Sequence, residues 1–153
     1  MNRIFATLAF ALLLLSSPLT ASAAAGDAVS GTGIFFLGDQ RMSFTVSAHS
    51  GPAGEDAQGE LHFRVGAFAD ATADVTCLRV TGNRAIVAGK VRQGTTLVPG
   101  YDYLYLIVQD NGEPIGGEPV DKAGVLIATA DFDCGFLDVI NTLDNGNITV
   151  EDR

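Results

Sequence analysis

Arg41-Met42-Ser43-Phe44-Thr45-Val46-Ser47-Ala48-His49 is the stretch from which the fold is read. Met42, Phe44, Val46 and Ala48 alternate strictly with Ser43, Thr45, Ser47 and His49. In an extended chain successive side chains point to opposite faces, so period two predicts a half-buried β-strand. Downstream, Ser50-Gly51-Pro52-Ala53-Gly54-Glu55-Asp56 is a polar Gly/Pro loop. Alternation then resumes over Glu60 to Val65, with Leu61, Phe63 and Val65 inward and Glu60, His62 and Arg64 outward. The two segments read as a hairpin.

Working outward, the same pattern recurs between turn formers. Val29 to Leu37 precedes the pair, with Gly31 and Gly33 inside it. Asp74 to Thr81 follows, then Gly82-Asn83, both tolerant of positive φ, then Arg84 to Arg92. Tyr101 to Gln109, Gly124 to Ala130 and Asn147 to Glu151 complete about eight predicted strands, and no helical period occurs among them. Consecutive antiparallel strands usually neighbour one another. The expected fold is therefore all-β, about eight antiparallel strands in a small closed meander barrel. Its last strand would pair with its first, removing exposed edges. A two-sheet sandwich is the alternative.

Residues 1–23 have a different character. Arg3 precedes an apolar run from Ile4 to Leu15, Pro18 breaks it, and Ala21-Ser22-Ala23 has the small-x-small form that signal peptidase cuts. The run is too short for a bilayer span, which takes about 20 apolar residues. The expected organisation is a signal peptide, 1–23, and one all-β domain, 24–153, with cleavage after Ala23 or alternatively Ala25. The expected location is secreted or periplasmic, with no membrane anchor in the mature form. Of the nine Lys and Arg, Arg3 leaves with the leader; eight basic against eighteen acidic side chains give −10. Such a charge disfavours nucleic acid and anionic lipid as partners and favours a soluble monomer. The only two cysteines, Cys77 and Cys134, read in an exported chain as one disulfide, with two buried thiols as the alternative.

Three stretches together resemble an uncharacterised group of secreted bacterial β domains that often stand alone behind a signal peptide. They are Cys77-Leu78-Arg79-Val80-Thr81-Gly82-Asn83-Arg84-Ala85-Ile86-Val87-Ala88-Gly89, Val108-Gln109-Asp110-Asn111-Gly112-Glu113-Pro114 and Gly146-Asn147-Ile148-Thr149-Val150. Gly31-Thr32-Gly33, followed by Phe44, completes the set. The resemblance spans nearly the whole mature chain and rests on turn chemistry. It implies a fold and a bacterial envelope or extracellular setting; the group has no established activity, so no site is carried over. The chain departs from the group where Ile115 to Asp121 replaces a Gly-Asp pair after Pro114.

Two constellations are candidates for function. Tyr101, Tyr103 and Tyr105 share one strand face opposite Leu104, Leu106 and Val108, and the preceding strand sets Arg84, Lys90 and Arg92 on the same outer side. Exposed aromatics with neighbouring cations can grip a ring or flat ligand. The second is the acidic loop, where Asp110, Asn111, Glu113, Glu118 and Asp121 supply the oxygens that calcium prefers, with Asp131 and Asp133 as possible additions. The bland reading is a turn solvated by its own carboxylates. No other cofactor is indicated. His49 and His62 have no third partner for zinc, and Asp56 with Glu60 is an unremarkable acidic pair. These features favour a non-enzymatic module that binds an extracellular or envelope ligand or takes part in assembly. A barrel holding a hydrophobic ligand inside and a carboxylate-based hydrolase are the alternatives.

Overall fold

The computed structural model describes residues 26–96, 98–113, 116, 120–135, 138 and 141–153. The leader 1–23 and its cleavage sites lie outside the described residues, as does Glu118. The described chain is all-β and forms one antiparallel sheet of nine strands. They are β1 (Ala28–Leu37), β2 (Gln40–His49), β3 (Gln58–Val65), β4 (Ala69–Thr81), β5 (Arg84–Thr95), β6 (Tyr103–Gln109), β7 (Lys122–Ala128), β8 (Asn141–Thr142) and β9 (Asn145–Glu151). The order is β8-β7-β6-β5-β4-β3-β2-β1-β9, a meander whose last strand folds back onto the first. The sheet curls into the barrel-like form expected from sequence rather than splitting into a sandwich. The eight expected strands are all present; the two-residue β8 is additional.

The alternation of β2 and β3 becomes burial. Phe44 pairs with Phe63 and Val46 with Leu61, and all four are nearly inaccessible. With Phe35, Leu78, Leu104, Leu106, Ile148 and the intervening Val and Ala residues they fill one interior core. Gly33 makes room for this packing: a Cβ there would come within 2.5 Å of the Phe44 ring. At the β4–β5 turn only Gly82 has positive φ, +59°, while Asn83 does not. That is the first-position glycine of a type II′ hairpin, whose twist matches its strands.

Two irregularities shape the functional face. In β4, Ala69, Ala71, Ala73 and Val75 face inward, yet the next inward residue is Leu78. A register shift against β5 between Val75 and Cys77 accounts for the change of parity. This β-bulge turns Cys77 outward, where uninterrupted alternation would place it in the core.

The second irregularity is the seam. β9 pairs with β1, and β8 pairs with β7 only at Lys122 and Ala123. Side chains bridge the gap between β9 and the β6–β7 region. The Asp121 carboxylate accepts the Ile148 N–H and the Asn111 N–H, each at 2.8 Å. Asp110 accepts the Val150 N–H at 3.1 Å and the Gly112 N–H at 2.8 Å. Asp121 is 1% exposed. Two carboxylates thus stand in for part of a missing ladder, satisfying backbone donors that would otherwise be orphaned.

Candidate functional site

The outer face of β5, β6 and β7 carries a second apolar cluster, separate from the interior core. Ile86, Ala88, Tyr105, Ile107, Ala128 and Cys134 are its buried members, with Cys77, Tyr103 and Leu126 packed against them. β5 and β6 are therefore covered on both sides at mid-length: Ala85 to Gly89 and Leu104 to Val108 are all buried. The cover is the segment after β7, residues 129–135, which the Cys77–Cys134 disulfide ties to the bulged part of β4.

Tyr105 fastens the segment from beneath. Its hydroxyl accepts the Phe132 N–H at 2.5 Å and lies 3.1 Å from the Phe132 carbonyl and 3.3 Å from an Asp131 carboxylate oxygen. Its ring packs at 6.3 Å from that of Phe132. Burial raises the Tyr105 phenol above its ordinary value near 10, and the Asp131 carboxylate adds to the rise; the Phe132 backbone bond opposes it. The folded form thus holds this proton more tightly than the unfolded chain. Its contribution to stability is fully present below the ordinary value and is lost as pH rises through the raised one. In an alkaline titration followed by tyrosinate absorbance, the last component of the folded protein is expected to vanish in Tyr105→Phe. A titration unchanged by that substitution would contradict the assignment.

The tyrosine row expected on one open face is thus divided. Tyr105 is 2% exposed beneath the tethered segment, so it is not part of an open aromatic platform. Tyr103 is half-buried opposite Lys90, and Tyr101 precedes β6 and is also half-buried. Lys90 is exposed, with no ion-pair partner among the described residues. Arg92 instead bridges Glu60 at 2.5 Å and Asp74 at 3.2 Å, which commits both its charge and theirs. Arg84 reaches Asp138 at 3.0 Å.

The other expected residues also find places. Asp110, Asn111 and Asp121 do converge, but on backbone: besides the seam bonds, the Asn111 side chain donates to the Val120 carbonyl at 2.8 Å. Glu113 is exposed beyond them. Among the described residues no group of three or more His, Cys, Asp and Glu is placed to hold a metal ion. His49 is exposed, and His62 contacts Asp70 at 2.7 Å. No helix among the described residues is long and apolar enough to cross a membrane.

Beside the tethered segment lies a recess of about 290 Å³, lined by Tyr105, Leu126, Ile127, Ala128, Phe132, Asp133 and Gly135. Its walls are mainly hydrocarbon and aromatic, and Phe132 stands 59% exposed there. A concave apolar wall with a few polar groups at its margin is the usual form of a ligand pocket. It can desolvate an apolar or aromatic group, while the Asp133 carboxylate offers an acceptor. Comparison with known protein families, with curated proteins and with solved structures returns no match to this chain.

Proposed function

We propose that this chain is a secreted, non-enzymatic binding module, monomeric and released into the bacterial envelope or extracellular space. It takes an apolar or aromatic group of its ligand into the recess beside the tethered segment. The observation that carries the reading is the recess itself: an apolar concavity whose wall is fixed by a disulfide and by a buried tyrosine. Preorganised walls lower the ordering cost of binding. The leader-like residues 1–23 and the resemblance to secreted bacterial β domains support the compartment.

The alternatives have less support. The interior where a barrel-held ligand would lie is occupied by Phe35, Phe44, Leu61, Phe63, Leu104 and Leu106. Of the carboxylates a hydrolase could use, Glu60 and Asp74 are engaged with Arg92, and Asp110 and Asp121 with backbone. The test uses a neutral solvatochromic dye, Nile red, as a surrogate ligand. Wild type is expected to bind it at one site, and Ala128→Phe, which fills the recess, to weaken binding by roughly tenfold or more, with a far-ultraviolet circular dichroism spectrum like that of wild type showing that the sheet is kept. Dye binding that Ala128→Phe leaves intact, or no binding by wild type, would reject the recess as the site.

A further inference from the structure

The recess beside the tethered segment is charged as well as apolar. Asp133 lines it together with Tyr105 and Phe132, and no Lys, Arg or His does. The Asp133 carboxylate is exposed, with no hydrogen bond or ion pair among the described residues. Its backbone is held by the disulfide at the next residue, Cys134. A second exposed carboxylate, on Asp131, lies 3.3 Å from the Tyr105 hydroxyl. Elsewhere carboxylates are neutralised where they stand, Glu60 and Asp74 by Arg92 and Asp138 by Arg84. Asp133 also borders a polar cleft that Arg79 lines, yet no ion pair joins the two. Lys90 shares the outer face, in register with Tyr103 and through it with Ala128. Two strand spacings, about 10 Å, separate it from the recess wall. That exceeds the Debye length of about 8 Å at physiological salt, so its charge is largely screened there.

We infer, on the reading of the recess as the binding site, that its ligand is an apolar cation: a hydrocarbon or aryl group bearing a protonated or quaternary amine. The hydrocarbon part lies against Leu126 and Ala128. The Asp133 carboxylate supplies the opposite charge at the margin. The rings of Tyr105 and Phe132, 6.3 Å apart in the wall, add the attraction of an aromatic quadrupole for a cation. An anionic ligand of the same shape meets Asp133 and Asp131 with no cation in the wall to offset them. The field of the whole molecule acts in the same direction: without the leader, eighteen acidic against eight basic side chains give −10 and concentrate cations near the surface.

Benzyltrimethylammonium and phenylacetate share a benzyl group and differ in the sign of their charge. Displacement of Nile red and isothermal titration calorimetry measure both. Wild type is expected to bind the cation roughly tenfold or more tightly than the anion. Asp133→Asn is expected to narrow that ratio to about threefold or less and to leave Nile red affinity unchanged. Glu113→Gln, which removes an equal charge from an exposed position beyond the far end of β6, is expected to keep the wild-type ratio. Wild type that binds Nile red but takes both probes equally, or prefers phenylacetate, overturns the inference and leaves the recess standing. A ratio unmoved by Asp133→Asn, or lowered as much by Glu113→Gln, also overturns it, since the preference then belongs to the overall charge. Binding of none of the three compounds rejects the recess and the inference together.

Discussion

Asp121→Asn is expected to lower the unfolding free energy by about 2–5 kcal/mol, the range for two buried donors losing a charged acceptor. The carboxylate serves two N–H groups at once, one on Asn111 and one on Ile148. An amide has a single acceptor oxygen, so one of these donors would face the new NH2 group instead. Asp121→Ala removes both bonds and leaves a void at a 1% exposed position, so it should cost at least as much. Chemical denaturation gives the size of the effect. Amide hydrogen exchange gives its place, because Ile148 and Asn111 should lose protection well before the centre of β6. A variant with wild-type stability and protected Ile148 would show that the seam is held by something else.

Removing the disulfide is expected to have a comparable effect. Cys77 and Cys134 are 57 residues apart. Constraining a loop of that length stabilises the fold by about 4 kcal/mol in the chain-entropy description. Cys77→Ser with Cys134→Ser should therefore lower the unfolding free energy by about that amount, read by denaturant titration. The structural consequence is local: segment 129–135 loses its tether, and the apolar cluster of Ile86, Ala88, Tyr105 and Ile107 becomes accessible. The interior core, which includes Phe44, Phe63 and Leu104, does not depend on that cover. The double variant should thus keep its strand content while gaining exposed hydrophobic surface. A variant as stable as wild type would contradict a structural role for the bond.

How far the sequence could be read depended on how local each feature is. β2 and β3 were legible because one face of each meets the core and the other meets water, which writes the pleat directly into the residue pattern. β5 and β6 were legible as strands but not as strands buried on both faces. The signal lay in the unbroken runs Ala85 to Ala88 and Leu104 to Val108, which single-face burial would not require. Taking Tyr105 for an exposed residue followed from that omission. The outward turn of Cys77 depends on a bulge, which alternation around Val75 does not disclose. β8 is too short to carry a pattern. Asp110 and Asp121 have the side chains of cation ligands, and only the long-range approach of β9 reveals the backbone donors they serve.

A tethered segment splits the tyrosine row and builds the recess. Nitration of the folded protein by tetranitromethane, mapped by peptide mass spectrometry, tests this most directly. Tyr101 and Tyr103 should react while Tyr105 stays unmodified until the Cys77–Cys134 bond is reduced. Tyr105 reacting as fast as Tyr103 with the bond intact would contradict it.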